Sequence, residues 1–307
     1  MRALTGNTLL FANLRGAPAS QRSLPPSAWT AIGMLAIPLW ATWPALATFA
    51  TAVPPFELLA IAYLVGCAVL WKLEPPQDRE RSGENERRPF RALIAPLFCA
   101  FGVCGSSAFF VFATHRIPPA QAHLIAYLWP AMLVIIGGAL RLFRLRWRHV
   151  GGVALGFLGA AVLVRDTPLS GSSVGIALAL MSGLSWALYC LFRLRQGAEA
   201  GNVLTAACVI SAAACAMLHF ITESTVVPSV GALIAAVCVG IFPLAFANLA
   251  WDRGVRQGNS QLLAVMAYAT PILSALLLVI FGMAVPTMSL AVGGFLIAAA
   301  GLISRNA

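Results

Sequence analysis

The sequence predicts an all-α integral membrane protein, with ten transmembrane helices arranged as a five-plus-five inverted-topology repeat and both termini in the cytoplasm. This prediction rests on composition, on the spacing of apolar runs and on the placement of basic residues. Of the 307 residues, 60% are apolar and 10% are charged, whereas a soluble domain carries about 25% charged residues. A transmembrane barrel is disfavoured, because it would show alternating segments of roughly ten residues.

Ten apolar runs are separated by short polar breaks, and each is close to the roughly 20 residues that cross a hydrocarbon core as a helix. The runs are 28–48, 56–71, 92–113, 119–142, 149–164, 174–192, 202–221, 230–251, 260–281 and 285–303. Residues 1–27 are predicted to form a cytoplasmic tail, and they lack the continuous apolar core of a signal peptide.

The basic residues are distributed unevenly between the two sides of this arrangement. When the ten runs are threaded alternately through a membrane, all but two of the 20 lysines and arginines fall on one side. The exceptions are Arg116 and Arg165. Because basic residues concentrate in cytoplasmic loops, the bias predicts cytoplasmic termini and an even number of helices. The net charge of +10 therefore indicates topology rather than nucleic-acid binding.

Short motifs recur in the two halves of the chain. AYLWP at 126–130 matches AYATP at 267–271, and VGG occurs at 150–152 and again at 292–294. These matches predict one five-helix repeat over 28–165 and a second over 174–304. Since each half has an odd number of helices, the halves are inverted, an arrangement that recurs in secondary transporters with the substrate site near the midplane. Interior prolines in the first, third, fourth, eighth and ninth runs predict that these helices line a cavity.

These features resemble the drug/metabolite transporter superfamily of the EamA type over residues 28–304. Three stretches are similar to the bacterial YddG-type aromatic amino acid exporters, namely YLWP at 127–130, WALYC at 186–190 and the segment 250–259. The resemblance implies a multi-pass protein of the bacterial inner membrane that exports aromatic amino acids and similar solutes.

Aromatic residues within the apolar runs are the first candidates for substrate binding. Trp40 and Trp43 lie three residues apart in the first run, and Trp186 and Tyr189 repeat this spacing in the sixth. Rings that line a cavity would bind aromatic solutes by offset stacking. The alternative is packing or lipid contact. Tryptophans at run ends, such as Trp71, are predicted to belong to the interfacial belt.

The fourth run carries His123, Tyr127 and Pro130 on one helical face, and Tyr268 of the ninth run corresponds to Tyr127. The histidine has no counterpart in the other repeat, so it could bind a substrate carboxylate, titrate near neutral pH or form an interhelical hydrogen bond. Trp129 would face about 200° away from Tyr127 on an unbroken helix. Because Pro130 can bend the helix, the sequence alone does not fix the direction of the Trp129 side chain.

Polar residues complete the predicted binding set, with Ser107 in the third run and Asn248 in the eighth. Asp252, beside Arg253 and Arg256, is predicted to be a helix-end or gate residue. No aspartate or glutamate lies in the middle of any run, although intramembrane carboxylates mark many proton relays and cation sites. A neutral or zwitterionic substrate is therefore favoured.

The leading functional prediction is export of aromatic or bulky neutral amino acids by alternating access through a central, aromatic-lined cavity. The alternatives are export of another metabolite or a drug and, less favoured, an intramembrane enzyme using Ser106 or Ser107 with His123. The sequence has no catalytic motif such as HExxH or GxSxG. All seven cysteines lie inside apolar runs without ligand spacing, so no metal and no cofactor are predicted. The expected partners are a small-molecule substrate and the lipid bilayer, with no nucleic acid and a monomer as the working expectation.

Overall fold

The computed structural model describes residues 24–73, 89–163, 165, 172–197 and 203–305. Within these ranges every regular element is helical, and the helical elements are numbered here α1 to α10. Their bounds are Pro26–Thr48 (α1), Pro55–Leu73 (α2), Pro89–Thr114 (α3), Pro119–Ala139 (α4), Trp147–Leu163 (α5), Ser173–Gln196 (α6), Leu204–Thr222 (α7), Val230–Gln257 (α8), Ser260–Ile280 (α9) and Met288–Arg305 (α10). One element coincides with each predicted apolar run. Most of the predicted tail and the basic loop at 74–88 lie outside the described residues.

Eight of these helices are long and apolar enough to cross a membrane, as far as the described residues show. The two others are α5, which has 17 residues, and α10, whose apolar part is Met288–Ser304. The prediction of an all-helical membrane protein is confirmed at this level.

Four of the helices are interrupted, and each interruption lies just before a proline. The first helical segment ends at Met34 in α1, at Ala126 in α4, at Val239 in α8 and at Met266 in α9. The prolines Pro38, Pro130, Pro243 and Pro271 follow four or five residues later. A proline lacks the N–H that would bond to the carbonyl four residues earlier, and its ring crowds that carbonyl. In α8 the chain continues as a π-helix over Gly240–Ala247, whereas α1, α4 and α9 resume as separate α-helical segments.

The helices pack in antiparallel pairs that bring distant parts of the chain together. The principal pairs are α1 with α8, α3 with α6, α2 with α7, and α5 with α10. At the first of these, the backbone of Gly33 lies so close to Gly254 that a Cβ added at Gly254 would be 2.5 Å from the Gly33 Cα. The bundle end where α1 begins and α8 ends is called the terminal face below. The other end, which carries residues 49–54 and 115–118, is called the loop face.

Candidate substrate cavity

A cavity of about 740 Å³ lies among α1, α2, α3, α4, α6, α8 and α9. It is lined near one end by the exposed residues Thr48 and Thr51, where α1 runs into the following loop. The cavity therefore opens at the loop face. Its other end is in the middle of the bundle, at Trp40, Trp129 and Asn248. The interrupted helices α1, α4, α8 and α9 all contribute to the wall.

Most of the residues predicted to bind substrate meet in this one cavity. Those that line it are Trp40, Trp43, Ser107, His123, Tyr127, Trp129, Trp186 and Asn248. Tyr189 and Tyr268 are absent from the lining. The Cβ of Tyr189 packs against Gly102 of α3 and its hydroxyl reaches Asp252 of α8, whereas Tyr268 packs against Gly156 of α5. Both tyrosines are buried away from the cavity, so they take no further part in the proposed site.

A cluster of four tryptophans, called the tryptophan floor below, lies at the inner end of the cavity. Trp40, Trp129 and Trp186 line the cavity, and Trp251 is buried behind them. Trp40 lies 5.5 Å from Trp186 and 5.1 Å from Trp251 between ring centroids. Trp129 lies 6.3 Å from Trp186 and 5.4 Å from Trp251. Three of the four contacts are edge-to-face and the fourth is tilted, the geometries that ring quadrupoles favour. The floor thus joins α1, α4, α6 and α8.

The indole N–H groups of the floor have specific partners. Trp40 donates from Nε1 to Oδ1 of Asn248 at 3.2 Å, and Trp251 donates from Nε1 to Sγ of Cys190 at 3.2 Å. Trp251 is fully buried and supports the floor from beneath. Sequence reasoning placed it in a motif but did not select it as a site residue. The sequence could have indicated Trp251, because it follows Asn248 by three residues and so shares its helical face.

A ring of hydroxyl groups on α2, α3 and α6 forms one polar wall of the cavity. The Tyr63 hydroxyl lies 3.3 Å from Ser107 Oγ and 3.4 Å from the carbonyl of Val103. On the neighbouring turn, Ser182 Oγ donates to the backbone carbonyl of Ser106 at 2.9 Å. Neither serine of α3 is hydrogen-bonded to His123. Tyr63 was not predicted as a site residue. The sequence feature that could have indicated it is a single tyrosine within an apolar helix.

The second polar wall is built from α4 and α9. The ring of His123 stacks on Tyr127 at 4.7 Å and meets Phe110 edge-on at 5.7 Å between centroids. Thr270 and Ser274, which were not predicted, line the same side of the cavity. They are four residues apart and so share one face of α9. Their positions depend on the break in α9, which the AYATP motif signals.

Between the tryptophan floor and the terminal face lies a buried ionic network. Asp252 accepts hydrogen bonds from Arg193 Nε at 2.6 Å and from Arg256 Nε at 2.9 Å. The Tyr189 hydroxyl donates to the same carboxylate at 3.2 Å. The Asp252 and Arg193 side chains are 2% and 1% exposed. The network ties α6 to α8 and closes the bundle beneath the floor.

The cavity itself carries no formal charge, because no aspartate, glutamate, lysine or arginine occurs among its described lining residues. Three titratable side chains are present there, namely Tyr63, His123 and Tyr127. No group of three or more histidine, cysteine or acidic side chains with metal-binding geometry occurs in the part of the chain that the structure describes. The wall can therefore contact a neutral or zwitterionic solute through rings and hydroxyl groups.

A bundle of apolar helices, several of them broken beside a cavity that opens at one end, is the architecture of a multi-pass membrane transport protein. The chain belongs to the EamA-like transporter family, whose model matches residues 27–165 and 173–305. This confirms the predicted class of protein and the resemblance to this family. Because the family consists of transporters, the alternative of an intramembrane enzyme is set aside.

Individual relatives agree with the family assignment. A protein named "Aromatic amino acid exporter YddG" from Ancylobacter novellus is 35% identical over 292 residues, which cover 91% of this chain and 99% of the relative. Proteins of the same name from Salmonella typhimurium and Escherichia coli are each 27% identical, over 81% of this chain and 86% of the relative. A solved crystal structure has a TM-score of 0.82 at 32% identity and covers 92% of this chain and 98% of its own.

Proposed function

We propose that the protein exports aromatic and other bulky neutral amino acids across the bacterial inner membrane, by alternating access through the central cavity. The observation that carries the proposal is the floor of four tryptophans at the end of an uncharged cavity. Its volume of about 740 Å³ falls in the range of small-molecule sites. The names of the relatives support the same substrate class.

Contacts between helices favour an architecture of ten membrane helices in two inverted repeats, over 28–165 and 174–304. In this architecture α1 to α5 correspond to α6 to α10. Exchanging each helix for its counterpart converts the contact of α3 with α6 into that of α8 with α1. The same operation converts the contact of α4 with α6 into that of α9 with α1, and it maps the pairs α2 with α7 and α5 with α10 onto themselves. The two separate matches to the family model fit this division.

Alternating access requires that the closed end of the cavity open in turn. In the described conformation the loop face is open, and the terminal face is closed by the network around Asp252 and by the contact of Gly33 with Gly254. We assign the terminal face to the cytoplasm, because its loops hold most of the basic residues. The conformation is then outward-open, and export requires this network to separate.

Labelling of introduced cysteines tests the orientation. A cysteine at Arg146, in the loop between α4 and α5, is expected to resist an impermeant thiol reagent added outside intact cells. A cysteine at Ser82, in a segment outside the described residues, is expected to resist it as well. A cysteine at Ser224, an exposed position at the loop face, is the positive control. Ready labelling at both Arg146 and Ser82 would reverse the orientation, and labelling at one alone would contradict the helix count.

Transport by the purified protein in liposomes tests the function. Uptake of radiolabelled phenylalanine, tryptophan and tyrosine should be saturable and should exceed that of aspartate and lysine, because charged side chains find no counter-charge on the cavity wall. Competition by unlabelled nucleosides and drugs serves as the comparison. Preferential transport of one of these compounds, without transport of aromatic amino acids, would contradict the proposed substrate class.

The absence of a carboxylate from the described cavity wall also yields an expectation about coupling. Phenylalanine flux down its own gradient should persist without an imposed proton gradient, since intramembrane carboxylates are the common proton relays. His123 is the remaining titratable group with a side chain able to change charge near neutral pH. Flux measured with and without a pH difference, in wild type and in His123→Ala, provides the check. Strict dependence on a pH difference that survives His123→Ala would show that another relay exists.

A further inference from the structure

The turn from α4 into α5, residues 141–148 and called the arginine loop below, presents four arginines at the terminal face. They are Arg141, Arg144, Arg146 and Arg148, and all four are exposed. The first three form no ion pair with any residue that the structure describes. The segment 74–88, which joins α2 to α3, supplies little net negative charge, because its five acidic residues are nearly balanced by four arginines. The arginine loop is therefore a basic surface that the rest of the chain does not neutralise.

Contacts with α4 and α5 hold the arginine loop in one conformation. The Phe143 ring packs on Gly137 of α4, where an added Cβ would be 2.6 Å from the ring. The buried ring of His149 accepts a hydrogen bond at Nδ1 from the backbone N–H of Arg146, at 3.2 Å. These contacts fold the loop back against the bundle while its arginine side chains stay exposed. A preorganised surface of this kind has less conformational entropy to lose when it binds a partner.

The turn from α9 into α10, its counterpart in the second proposed repeat, has the same backbone closure without the charge. Each helix ends with a hydrogen bond from a backbone N–H to the carbonyl five residues earlier, 2.9 Å from Leu142 and 2.8 Å from Met283. The preceding residue has a positive φ, 56° at Arg141 and 70° at Gly282. This conformation suits glycine and strains other residues. Residues 281–287 include no charged side chain. Membrane topology favours basic residues at the terminal face but does not require an arginine at a strained position, so a binding role is favoured.

Apolar side chains of the arginine loop place it at the boundary between lipid headgroups and acyl chains. Trp147, the first residue of α5, is 74% exposed, and tryptophan is enriched at headgroup depth. The guanidinium of Arg148 lies 5.7 Å from the centroid of the Trp147 ring. Leu140 and Leu145 are also exposed. A surface that intersperses arginines with exposed apolar side chains suits this boundary, where the negatively charged groups are the phosphates of phospholipids.

We propose that the arginine loop binds the headgroup of an anionic phospholipid, with Arg144 and Arg146 contacting its phosphate and Trp147 lying beside its acyl chains. The planar guanidinium of arginine matches a phosphate with two parallel hydrogen bonds. A zwitterionic phospholipid also has a phosphate, but its ammonium group would be repelled by the remaining arginines. The bound lipid would hold the terminal end of α4, which lines the cavity. This inference concerns the lipid partner of the protein and does not depend on which solute is transported.

The stability of the purified protein in detergent with added lipid tests the proposal. A ligand that binds the folded state raises the unfolding temperature. Phosphatidylglycerol should therefore raise it by a few degrees, and phosphatidylcholine should raise it less. Arg144→Gln should increase the phosphatidylglycerol concentration that gives half the maximal rise by about fivefold, the effect of one basic residue at an anionic surface. The double variant Arg144→Gln/Arg146→Gln should increase it further.

Arg195→Gln is the matched control, because Arg195 is exposed at the terminal end of α6, outside the arginine loop. It should leave the half-maximal phosphatidylglycerol concentration within about twofold of wild type. Tryptophan fluorescence locates the contact directly. The contribution of Trp147, taken as the difference between wild type and Trp147→Phe, should be quenched more strongly by brominated phosphatidylglycerol than by brominated phosphatidylcholine.

Three results would each overturn the proposal. The first is an equal response of the wild-type unfolding temperature to phosphatidylglycerol and to phosphatidylcholine. The second is equal quenching of Trp147 by the two brominated lipids. The third is equal weakening by Arg144→Gln and Arg195→Gln, since diffuse attraction to the whole basic face would then account for the lipid preference.

Discussion

Replacing Asp252 with asparagine is expected to destabilise the protein by about 3–5 kcal/mol, the cost of removing one partner from a buried ion pair. The carboxylate contacts Arg193 at 2.6 Å and Arg256 at 2.9 Å, and all three side chains are at most 7% exposed. Without it, two buried guanidinium groups lose the anion that both contact. Admitting water at the terminal face would solvate them. The unfolding temperature in detergent should therefore fall, and the terminal face should open more readily.

The native thiol of Cys190 reports on this opening, because it is fully buried and accepts a hydrogen bond from Trp251. In Asp252→Asn, a maleimide added at the terminal face should modify Cys190 faster than in wild type. Arg195→Gln is the control for charge, since Arg195 lies on the same helix as Arg193 but is exposed. Equal effects of Asp252→Asn and Arg195→Gln on the unfolding temperature and on Cys190 labelling would contradict a closing role for the network.

Removing either member of the cavity-lining pair Trp40 and Trp186, in Trp40→Ala or Trp186→Ala, is expected to impair transport while the protein still reaches the membrane. The two rings are 5.5 Å apart and both line the cavity. Losing one ring–ring contact with substrate costs about 0.5–1.5 kcal/mol beyond the lost contact area, a several-fold change in apparent affinity. The measurement is the half-saturating concentration of tryptophan in liposomes at equal protein content.

Two further variants separate binding from packing. Trp71 is 59% exposed at the end of α2, so Trp71→Ala should transport nearly normally. Trp40→Phe keeps a ring on the floor but loses the hydrogen bond to Asn248, so it should retain more activity than Trp40→Ala. If Trp71→Ala fails as badly as Trp40→Ala at equal expression, the tryptophans are structural and the aromatic cavity is not the binding site.

Local rules account for much of the fold. The lengths of the apolar runs located the helices to within a few residues, because a membrane helix must satisfy its backbone within one continuous segment. The prolines predicted five of the seven helices that line the cavity, since each removes a backbone donor that a regular helix needs. The other two, α2 and α6, line the cavity without an interior proline. Of the five, α3 contains Pro96 without an interruption, whereas α1, α4, α8 and α9 are interrupted. The effect of a given proline thus depends on the packing around it.

Predictions of which side chains share a helical face depend on the helix being regular, and they fail where the helix is broken. Trp129 would point away from Tyr127 on an ideal helix, yet both line the cavity because α4 is interrupted at Tyr127–Leu128. Tyr189 shares the spacing of Trp43 but packs at Gly102 of α3 and directs its hydroxyl to Asp252 of α8, outside the cavity. The helical period of 3.6 residues specifies the relative directions of side chains within one unbroken segment. It does not specify which neighbouring helix those side chains will contact.

By itself, the sequence determined that the protein is a bundle of membrane helices and which of those helices carry breaks and rings, because hydrophobic length and proline chemistry act within a few residues of chain. Only the tertiary structure decided which side chains meet. It joined Trp40 to Trp186, and it placed Arg193 against Asp252 across 59 residues of sequence. These outcomes depend on how helices pack against one another, and the packing is set by close contacts between distant residues such as Gly33 and Gly254.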